Sequence, residues 1–538
     1  MGSDGGQTIS INLGSDLDQI SVAGASEVEK LLTQRKLNQA YNEAEKLFKR
    51  FPHKCRVRII YGLAALLTGR QSEADKMLEF IATLPVEEAP AIYLFWADML
   101  FENGRTESAW GLCSKALLLE TITPDHMRRC ANIAMATRIP GRLSDVLDHW
   151  AKQFPDDENI ALFHAGFLLR KGHLEDAVVM VRNAMEGERS FGAAFNMLAD
   201  MDISLITNGD MKKAQEFRRS GSGTDLDRAF IGFALGKKLE REGDYDRAFE
   251  EYIRGNGALR AYFDKTGKIY LTESQAASHE MLKKLTGLFP WTQSKTRKGA
   301  KTPQPIFIVG MPSSGTSLME QILSMHKNIR ACGERTAMNE VMKPVLKARK
   351  EGRWQDGIPR GERVKLQEIY LSGIKDEIAG YDSFTDKMPG NFIFIGLISE
   401  IFPEAKILLM KRDPMDNCLS IYCRPFNLGF FYSTDLKSIG TSYRQSMALI
   451  NHWKERFGEK ILEVSYESLV DDQEGICRGV LEFCGLPWDK KCLEFHDSKH
   501  PVFTLSAAQV RRPLFKTSVG RWKKFEKHLG SLKDALDC

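Results

Sequence analysis

The sequence has few features of secreted, membrane-spanning or disulfide-rich proteins. No uninterrupted apolar run approaches the ~18 residues needed to cross a bilayer. The first residues, MGSDGGQTIS, lack the positive and apolar regions of a signal peptide. The ten cysteines are scattered, without a CxxC pair or a metal-ligand spacing. We therefore expect reduced, mostly buried thiols in a cytoplasmic protein that binds no metal and contacts no membrane.

A strong charge of one sign is also absent. The 538 residues include 75 Lys and Arg against 71 Asp and Glu, a net charge of only +4. This balance argues against a nucleic-acid partner, so any anion site must be local. The length exceeds what one hydrophobic core supports and predicts two or three domains.

A glycine followed five residues later by an alanine recurs through the first half of the chain. The pairs are Gly69/Ala74, Gly104/Ala109, Gly172/Ala177, Gly209/Ala214 and Gly243/Ala248, with Arg35/Ala40 and Gly141/Val146 as degenerate copies. Successive starts are 34, 35, 37, 31, 37 and 34 residues apart. Each glycine is expected to end one helix, and each alanine to lie where the next helix packs closely. The period resembles the tetratricopeptide repeat and predicts a helical array over residues 25–265.

These patterns predict that the chain is divided into four segments. Residues 1–24 are expected to be a flexible N-terminus, and 25–265 the helical array. Residues 266–304 hold a helix and a basic linker, WTQSKTRKGAKTPQP. Residues 305–538 form the remaining domain. The array contains no catalytic constellation, so it predicts either a platform for the other half or a groove that captures a partner.

A strand, a tight turn and a helix follow the linker. PIFIVGM is an apolar strand, PSSGTS the turn, and LMEQILSMH an amphipathic helix. This order places backbone N–H groups and the positive end of a helix dipole around an anion. Gly310 and Gly315 have the spacing of a nucleotide P-loop, but Thr316 stands where that motif has lysine. The substitution argues against a nucleoside-triphosphate-dependent kinase, which we retain only as a rival hypothesis.

The turn and the segments after it resemble a known family. VGMPSSGTSLMEQIL is similar to the 5′-phosphosulfate loop of sulfotransferases, and ACGERT to a segment of tyrosylprotein sulfotransferases. The runs TDKMPGNF, IFPEAKILLMKRDPMDNCLSIYCR, EVSYESLV and SAAQVRRPLFKTSVGRW resemble further segments of that family in order. The whole layout resembles the tetratricopeptide-repeat-containing sulfotransferases. The implied fold is an all-α array followed by a three-layer α/β domain with a mainly parallel sheet.

The resemblance implies a donor, 3′-phosphoadenosine 5′-phosphosulfate, and a set of residues around it. The turn would hold the phosphosulfate, Arg412, Ser420 and Arg424 the 3′-phosphate, and Tyr466 the adenine. Ser506, Arg512 and Arg521 would form a basic lid. Glu334 would act as the base and Lys387 would stabilise the leaving group. The full implied donor-binding set is Ser313, Ser314, Gly315, Thr316, Ser317, Leu318, Arg412, Ser420, Arg424, Tyr466, Ser506, Arg512 and Arg521.

Two departures from the family pattern leave alternatives open. Ser313 replaces the family's Lys or Arg after the loop proline, and Lys387 or a lid arginine would have to substitute. Cys332 matches one half of the family's cysteine pair, but Thr385 or Asp386 stands near the other half. The expected function is therefore sulfuryl transfer to a hydroxyl of a protein tyrosine, a carbohydrate or a small molecule. The alternative is a weakly active or inactive nucleotide-binding scaffold that uses the repeats for protein binding. Neither the acceptor nor the oligomeric state follows from the sequence.

Overall fold

The structure is a computed structural model. It describes residues 24–537 except 35, 82–89, 103–104, 118–121, 138–139, 156, 188–189, 266–271, 288–302, 355–356, 427–429, 499–508 and 515. The chain divides into two compact units, Met1–Phe163 and His164–Cys538. Most of the predicted N-terminal segment, most of the predicted linker and Ser506 lie outside the described residues. None of the described helices combines the length and apolar character that a membrane span requires.

The first part of the chain is helical, with fourteen α-helices described between residues 25 and 265. They are α1 (Ala25–Thr33), α2 (Leu37–Arg50), α3 (Cys55–Leu67), α4 (Gln71–Ile81), α5 (Pro90–Glu102), α6 (Thr106–Ala116), α7 (Pro124–Thr137), α8 (Pro140–Gln153), α9 (Glu158–Lys171), α10 (Leu174–Ala184), α11 (Phe191–Met201), α12 (Asn208–Arg219), α13 (Asp225–Glu242) and α14 (Tyr245–Lys265). The tetratricopeptide assignment of these helices stays a prediction.

The small residues of the repeated pattern lie where helices pack. They fall in the even-numbered helices, and none has exposed surface: Ala40, Ala74, Ala109, Val146, Ala177, Ala214 and Ala248. Among the glycines, Gly69, Gly172 and Gly243 follow a helix with φ of +74°, +90° and +88°, the left-handed conformation that glycine adopts without strain.

Two glycines of the pattern do not end a helix. Gly209 lies in the first turn of α12 and Gly141 in the first turn of α8, so the expected capping role is wrong at both positions. At Gly209 a different device starts the helix. Thr207 and Asp210 form a capping box, in which each side chain accepts from the other residue's backbone N–H. The sequence TNGD therefore begins a helix here.

The sheet of the second unit consists of five parallel strands. They are β1 (Gln304–Gly310), β2 (Ile329–Ala331), β3 (Ser383–Asp386), β4 (Lys406–Lys411) and β5 (Ile461–Ser465), in the order β2-β3-β1-β4-β5. β1 lies at the centre and pairs with β3 on one side and β4 on the other. The predicted parallel sheet is confirmed.

Helices cover both faces of this sheet. The remaining ones are α15 (Thr272–Gly287), α16 (Thr316–Leu323), α17 (Ala337–Lys350), α18 (Arg360–Leu371), α19 (Ile395–Ile401), α20 (Pro414–Tyr422), α21 (Leu436–Phe457), α22 (Tyr466–Asp471), α23 (Gln473–Phe483) and α24 (Gly530–Leu536). Alternate residues of β1 point to opposite cores: Phe307 and Val309 to one, and Ile306 and Ile308 to the other.

The last helix pair of the array shares a core with the sheet. Phe233 of α13 and Phe249 and Tyr252 of α14 belong to the same buried cluster as Phe307 of β1. The buried amide of Asn256 donates to the backbone oxygen of Tyr422, at the end of α20, over 2.9 Å. Because α13 is packed in this way, its side chains reach the carboxyl end of the sheet.

Candidate functional site

The turn between β1 and α16 is shaped for a close approach to an anion. A Cβ at Gly310 would lie 2.5 Å from the backbone oxygen of Met410 and 2.8 Å from Ser314 Oγ, so only glycine fits. Gly315 is the N-cap of α16 with φ of +101°, and Ser313 has φ of +66°, a conformation that non-glycine residues rarely adopt. The predicted succession of strand, tight turn and helix is present here, and the first N–H groups of α16 lack partners within the helix, as at every helix N-terminus.

Arg412 joins this turn to the next strand. It follows β4, which pairs with β1, and its Nη1 donates to the backbone oxygen of Ser313 over 3.1 Å and to Ser420 Oγ over 3.0 Å. Its Nη2 donates to the backbone oxygen of Ser518 over 2.7 Å. Burial lowers the pKa of Arg412, because the guanidinium is partly removed from water. An anionic ligand would compensate for that loss of hydration.

Tyr466 closes one side of the turn. It begins α22 directly after β5, and its ring lies 4.9 Å from the Arg412 guanidinium carbon. A Cβ at Gly315 would lie 2.9 Å from Tyr466 Cδ2, so the ring packs directly on the glycine. Glu467 fixes this arrangement, since its carboxylate accepts from the Asp413 N–H over 2.9 Å and from Ser465 Oγ over 2.9 Å.

The C-terminal segment is tied to the same place by a buried carboxylate. Asp416, in α20, is 1% exposed and accepts from the backbone N–H of Gly520 over 2.6 Å and of Trp522 over 2.8 Å. Burial raises the pKa of Asp416, although these hydrogen bonds and Arg412 oppose that rise. The two bonds hold Ser518 and Arg521 beside Arg412.

These elements enclose a cavity of about 250 Å³. Eleven residues from the sequence-based donor set line it: Ser313, Gly315, Thr316, Ser317, Leu318, Arg412, Ser420, Arg424, Tyr466, Arg512 and Arg521. Ser314 does not line it. Its hydroxyl is buried next to Gly310, without a hydrogen-bond partner among the described atoms. The cavity also has walls formed by residues that were not predicted individually from the sequence: Lys237, Cys423, Phe495, Val510, Pro513, Leu514 and Ser518.

Both predicted lid arginines are held by acids of the helical array. Arg521 makes a two-point ion pair with Glu240 of α13, at 2.5 and 2.6 Å. Burial alone would raise the pKa of Glu240, but the charge and hydrogen bonds of Arg521 outweigh it and lower the pKa. Arg512 donates to Asp202 over 2.8 Å and to the Met201 backbone over 3.0 Å. Both arginines line the cavity, but in this structure each also has a protein carboxylate as its partner.

Glu334 and Lys387 lie together but do not line this cavity. Lys387 Nζ donates to Glu334 Oε1 over 2.7 Å, and the lysine is 1% exposed while the glutamate side chain is 31% exposed. Glu320 of α16 connects the pair to the turn: its Oε1 accepts from the Gly333 N–H over 2.8 Å and from Thr385 Oγ1 over 2.9 Å. The pair therefore sits at the carboxyl ends of β2 and β3, next to the strand that carries the turn.

The residues present fit a doubly anionic nucleotide. Two buried polar groups, Arg412 Nε and the Ser314 hydroxyl, have no hydrogen-bond partner among the described atoms. The hydroxyl-bearing residues at the N-terminus of α16 line the cavity together with four arginines, Arg412, Arg424, Arg512 and Arg521. No group of three or more potential metal-ligating side chains occurs in the described part of the chain.

Comparison with known proteins agrees with the geometry of the second unit. Residues 305–490 match the model of the "Sulfotransferase family". The resemblance predicted from the sequence is confirmed for this C-terminal region.

Individual relatives extend over different parts of the chain. An "Uncharacterized protein" of Aquifex aeolicus (strain VF5) is 27% identical over 94% of this chain and 68% of its own length. The "Protein-tyrosine sulfotransferase A" of Caenorhabditis elegans is 28% identical over 41% of this chain and 62% of its own length, so the chain spans less than two thirds of that relative. Among solved structures, the sulfotransferase domain from a Synechococcus olefin synthase covers 44% of this chain and matches over 91% of its own length, at 18% identity and a TM-score of 0.32.

Proposed function

We propose that the second unit binds 3′-phosphoadenosine 5′-phosphosulfate and transfers its sulfuryl group to a hydroxyl. One observation carries the proposal: the anion-binding turn and the Arg412–Ser420 pair line a single cavity. The donor has anionic groups at its 5′ and 3′ ends and therefore needs two anion sites joined by room for a nucleoside. The match of residues 305–490 to the sulfotransferase family supports the same reaction.

The ends of the donor are assigned by the chemistry of the walls. The phosphosulfate would bind at the turn, where Ser313, Thr316 and Ser317 line the cavity at the N-terminus of α16 and offer backbone N–H groups and hydroxyls to its oxygens. The 3′-phosphate lies at Arg412, Ser420 and Arg424. Burial lowers the pKa of Arg424, and a phosphate would stabilise its charged form. Tyr466 provides an aromatic surface for the adenine.

Glu334 is proposed as the base. The acceptor oxygen attacks the sulfur, its proton passes to Glu334, and the bond from sulfur to the bridging phosphate oxygen breaks. The products are a sulfate ester and adenosine 3′,5′-bisphosphate. Lys387 holds one carboxylate oxygen of Glu334, and the 31% exposure of that side chain leaves the carboxylate accessible to an acceptor. Lys387 lies beside the cavity rather than in its wall, and from the carboxyl end of β3 it would stabilise negative charge on the leaving group.

A single-turnover assay tests the reaction. Full-length protein is mixed with sulfur-labelled donor, without Mg²⁺, and with tyrosine peptides, phenols or sugars as acceptors. Formation of adenosine 3′,5′-bisphosphate together with a labelled ester is expected for at least one acceptor class. Tight binding of ATP with Mg²⁺ in preference to the 3′-phosphorylated nucleotide would contradict the proposal and favour a kinase, despite Thr316.

A nucleotide-binding scaffold without catalysis is a second candidate function. Ser313, which replaces a cation of the family pattern, favours it, because removing one electrostatic stabiliser typically slows transfer by about a hundredfold or more. In this case the protein would bind adenosine 3′,5′-bisphosphate but release none from the donor. Ser313→Arg separates the two functions: a faster turnover supports catalysis, and continued inactivity with intact binding supports the scaffold.

The acceptor, partner and location are also proposals. A protein tyrosine is the first acceptor to test, because relatives carry the name protein-tyrosine sulfotransferase. The helical array is proposed to present or gate this acceptor. A cytoplasmic location fits the eight described cysteines, all of which are buried.

A further inference from the structure

Lys237 reaches the donor cavity from outside the region that resembles sulfotransferases. It lies in the middle of α13, in the helical array, and lines the same cavity as Arg412, Ser420 and Arg424. Its side chain is only 19% exposed and forms an ion pair with Asp200 of α11. The packing of α13 against the core of the sheet brings this lysine to the cavity.

The neighbours of Lys237 place it at the end of the cavity assigned to the 3′-phosphate. Lys237 acts electrostatically on Cys423, which precedes Arg424, and its partner Asp200 acts on Arg424 itself. Lys237 and Arg521 also line a second cavity of about 380 Å³ that opens beside the first. The lysine therefore lies between the 3′-phosphate site and this second opening.

The cations around this end differ in how firmly they are held. Arg521 has two contacts with Glu240, and Arg512 has two contacts with Asp202 and Met201. Lys237 has one ion-pair partner among the described residues, Asp200. The Asn196 amide donates to the other oxygen of that carboxylate over 3.0 Å, so Asp200 keeps a partner if the lysine moves. A flexible ammonium with a single partner can transfer to an incoming phosphate at low cost.

We propose that Lys237 is a donor-binding residue that contacts the 3′-phosphate, so that the helical array itself contributes to the recognition of 3′-phosphorylated nucleotides. The inference rests on the proposed function and assigns to it a residue outside the family motifs. On binding, the ammonium exchanges the Asp200 carboxylate for the phosphate.

Calorimetric titration of the full chain with two nucleotides tests the role of Lys237. Adenosine 3′,5′-bisphosphate carries the 3′-phosphate, and adenosine 5′-monophosphate lacks it. Lys237→Ala and Lys237→Gln should weaken binding of the bisphosphate about tenfold, the lower range for a charge-assisted hydrogen bond, and change binding of the monophosphate less than twofold. Lys237→Arg, which keeps the charge, should stay within about threefold of the parent protein for both nucleotides.

Lys238 provides the matched control. It is the next residue of α13, has 16% exposure, pairs with Glu242 over 3.6 Å and does not line the cavity, so Lys238→Ala should leave both affinities unchanged. Equal weakening of both nucleotides by Lys237→Ala, or no weakening of either, would overturn the inference. If the parent protein does not bind the bisphosphate, the proposed function fails instead.

Discussion

Replacing Arg412 by alanine tests the proposed donor site at the residue that contacts the turn, α20 and the C-terminal segment. The guanidinium braces the turn through Ser313, contacts Ser420 and reaches the C-terminal segment through Ser518. Its Nε remains buried without a partner among the described atoms and is available to a phosphate oxygen. Loss of a bidentate contact between guanidinium and phosphate costs about 3 kcal/mol, which corresponds to roughly a hundredfold weaker binding.

The assay is calorimetric titration with adenosine 3′,5′-bisphosphate, accompanied by thermal unfolding to show that the variant is folded. Arg412→Lys should have an intermediate affinity, because it keeps the charge and loses the fork geometry. Lys411→Ala is the matched control, since the neighbouring lysine is 43% exposed and pairs with Glu463 over 3.6 Å. Binding by folded Arg412→Ala within twofold of the parent protein would refute the placement of the 3′-phosphate.

Three further changes probe the base, the turn and the contact with the array. Glu334→Gln should leave bisphosphate affinity unchanged and slow single-turnover transfer about 10²- to 10⁴-fold; unchanged transfer would remove it from the role of base. Gly310→Ala should lower the free energy of unfolding, measured in urea, by about 2–4 kcal/mol, because the new Cβ would lie 2.5 Å from the Met410 backbone oxygen. An unchanged free energy of unfolding would show that the turn can relax around the added methyl group. Glu240→Gln should destabilise the protein by about 3 kcal/mol near neutral pH. Arg521 lowers the pKa of Glu240 in the folded protein. The difference in free energy of unfolding between the parent protein and Glu240→Gln should therefore have its full size above the unfolded-state pKa of about 4.3 and disappear as the pH falls through the folded-state pKa. A difference that persists unchanged in acid would contradict the ion-pair explanation.

The sequence predicted the parts of the site that local chemistry defines. The turn at Gly310–Ser317 is identifiable because a strand, a glycine-rich turn and a helix follow each other directly. Arg412 is identifiable as a cation at the end of an apolar strand. The period of the array was similarly visible, since a small residue must recur wherever helices pack closely, as Ala74 and Ala177 do.

The missing parts depend on packing between distant segments. Nothing near Lys237 distinguishes it from Lys238, and only the orientation of α13 against the sheet selects one of them. The acidic partners of Arg512 and Arg521 were not predictable either, because they lie 310 and 281 residues away in the chain. Gly209 was misassigned because a capping box at Thr207, not a glycine cap, governs that helix start.

The packing of α13 has a consequence for experiments that truncate the chain. One wall of the proposed nucleotide cavity belongs to α13, and Glu240 on that helix, which is 19% exposed, pairs with Arg521 of the C-terminal segment. A truncated protein that begins after α14 would therefore lack Lys237 at the cavity and leave Arg521 without Glu240. The pair α13 and α14 therefore belongs structurally with the sheet, in line with the division of the chain within α9.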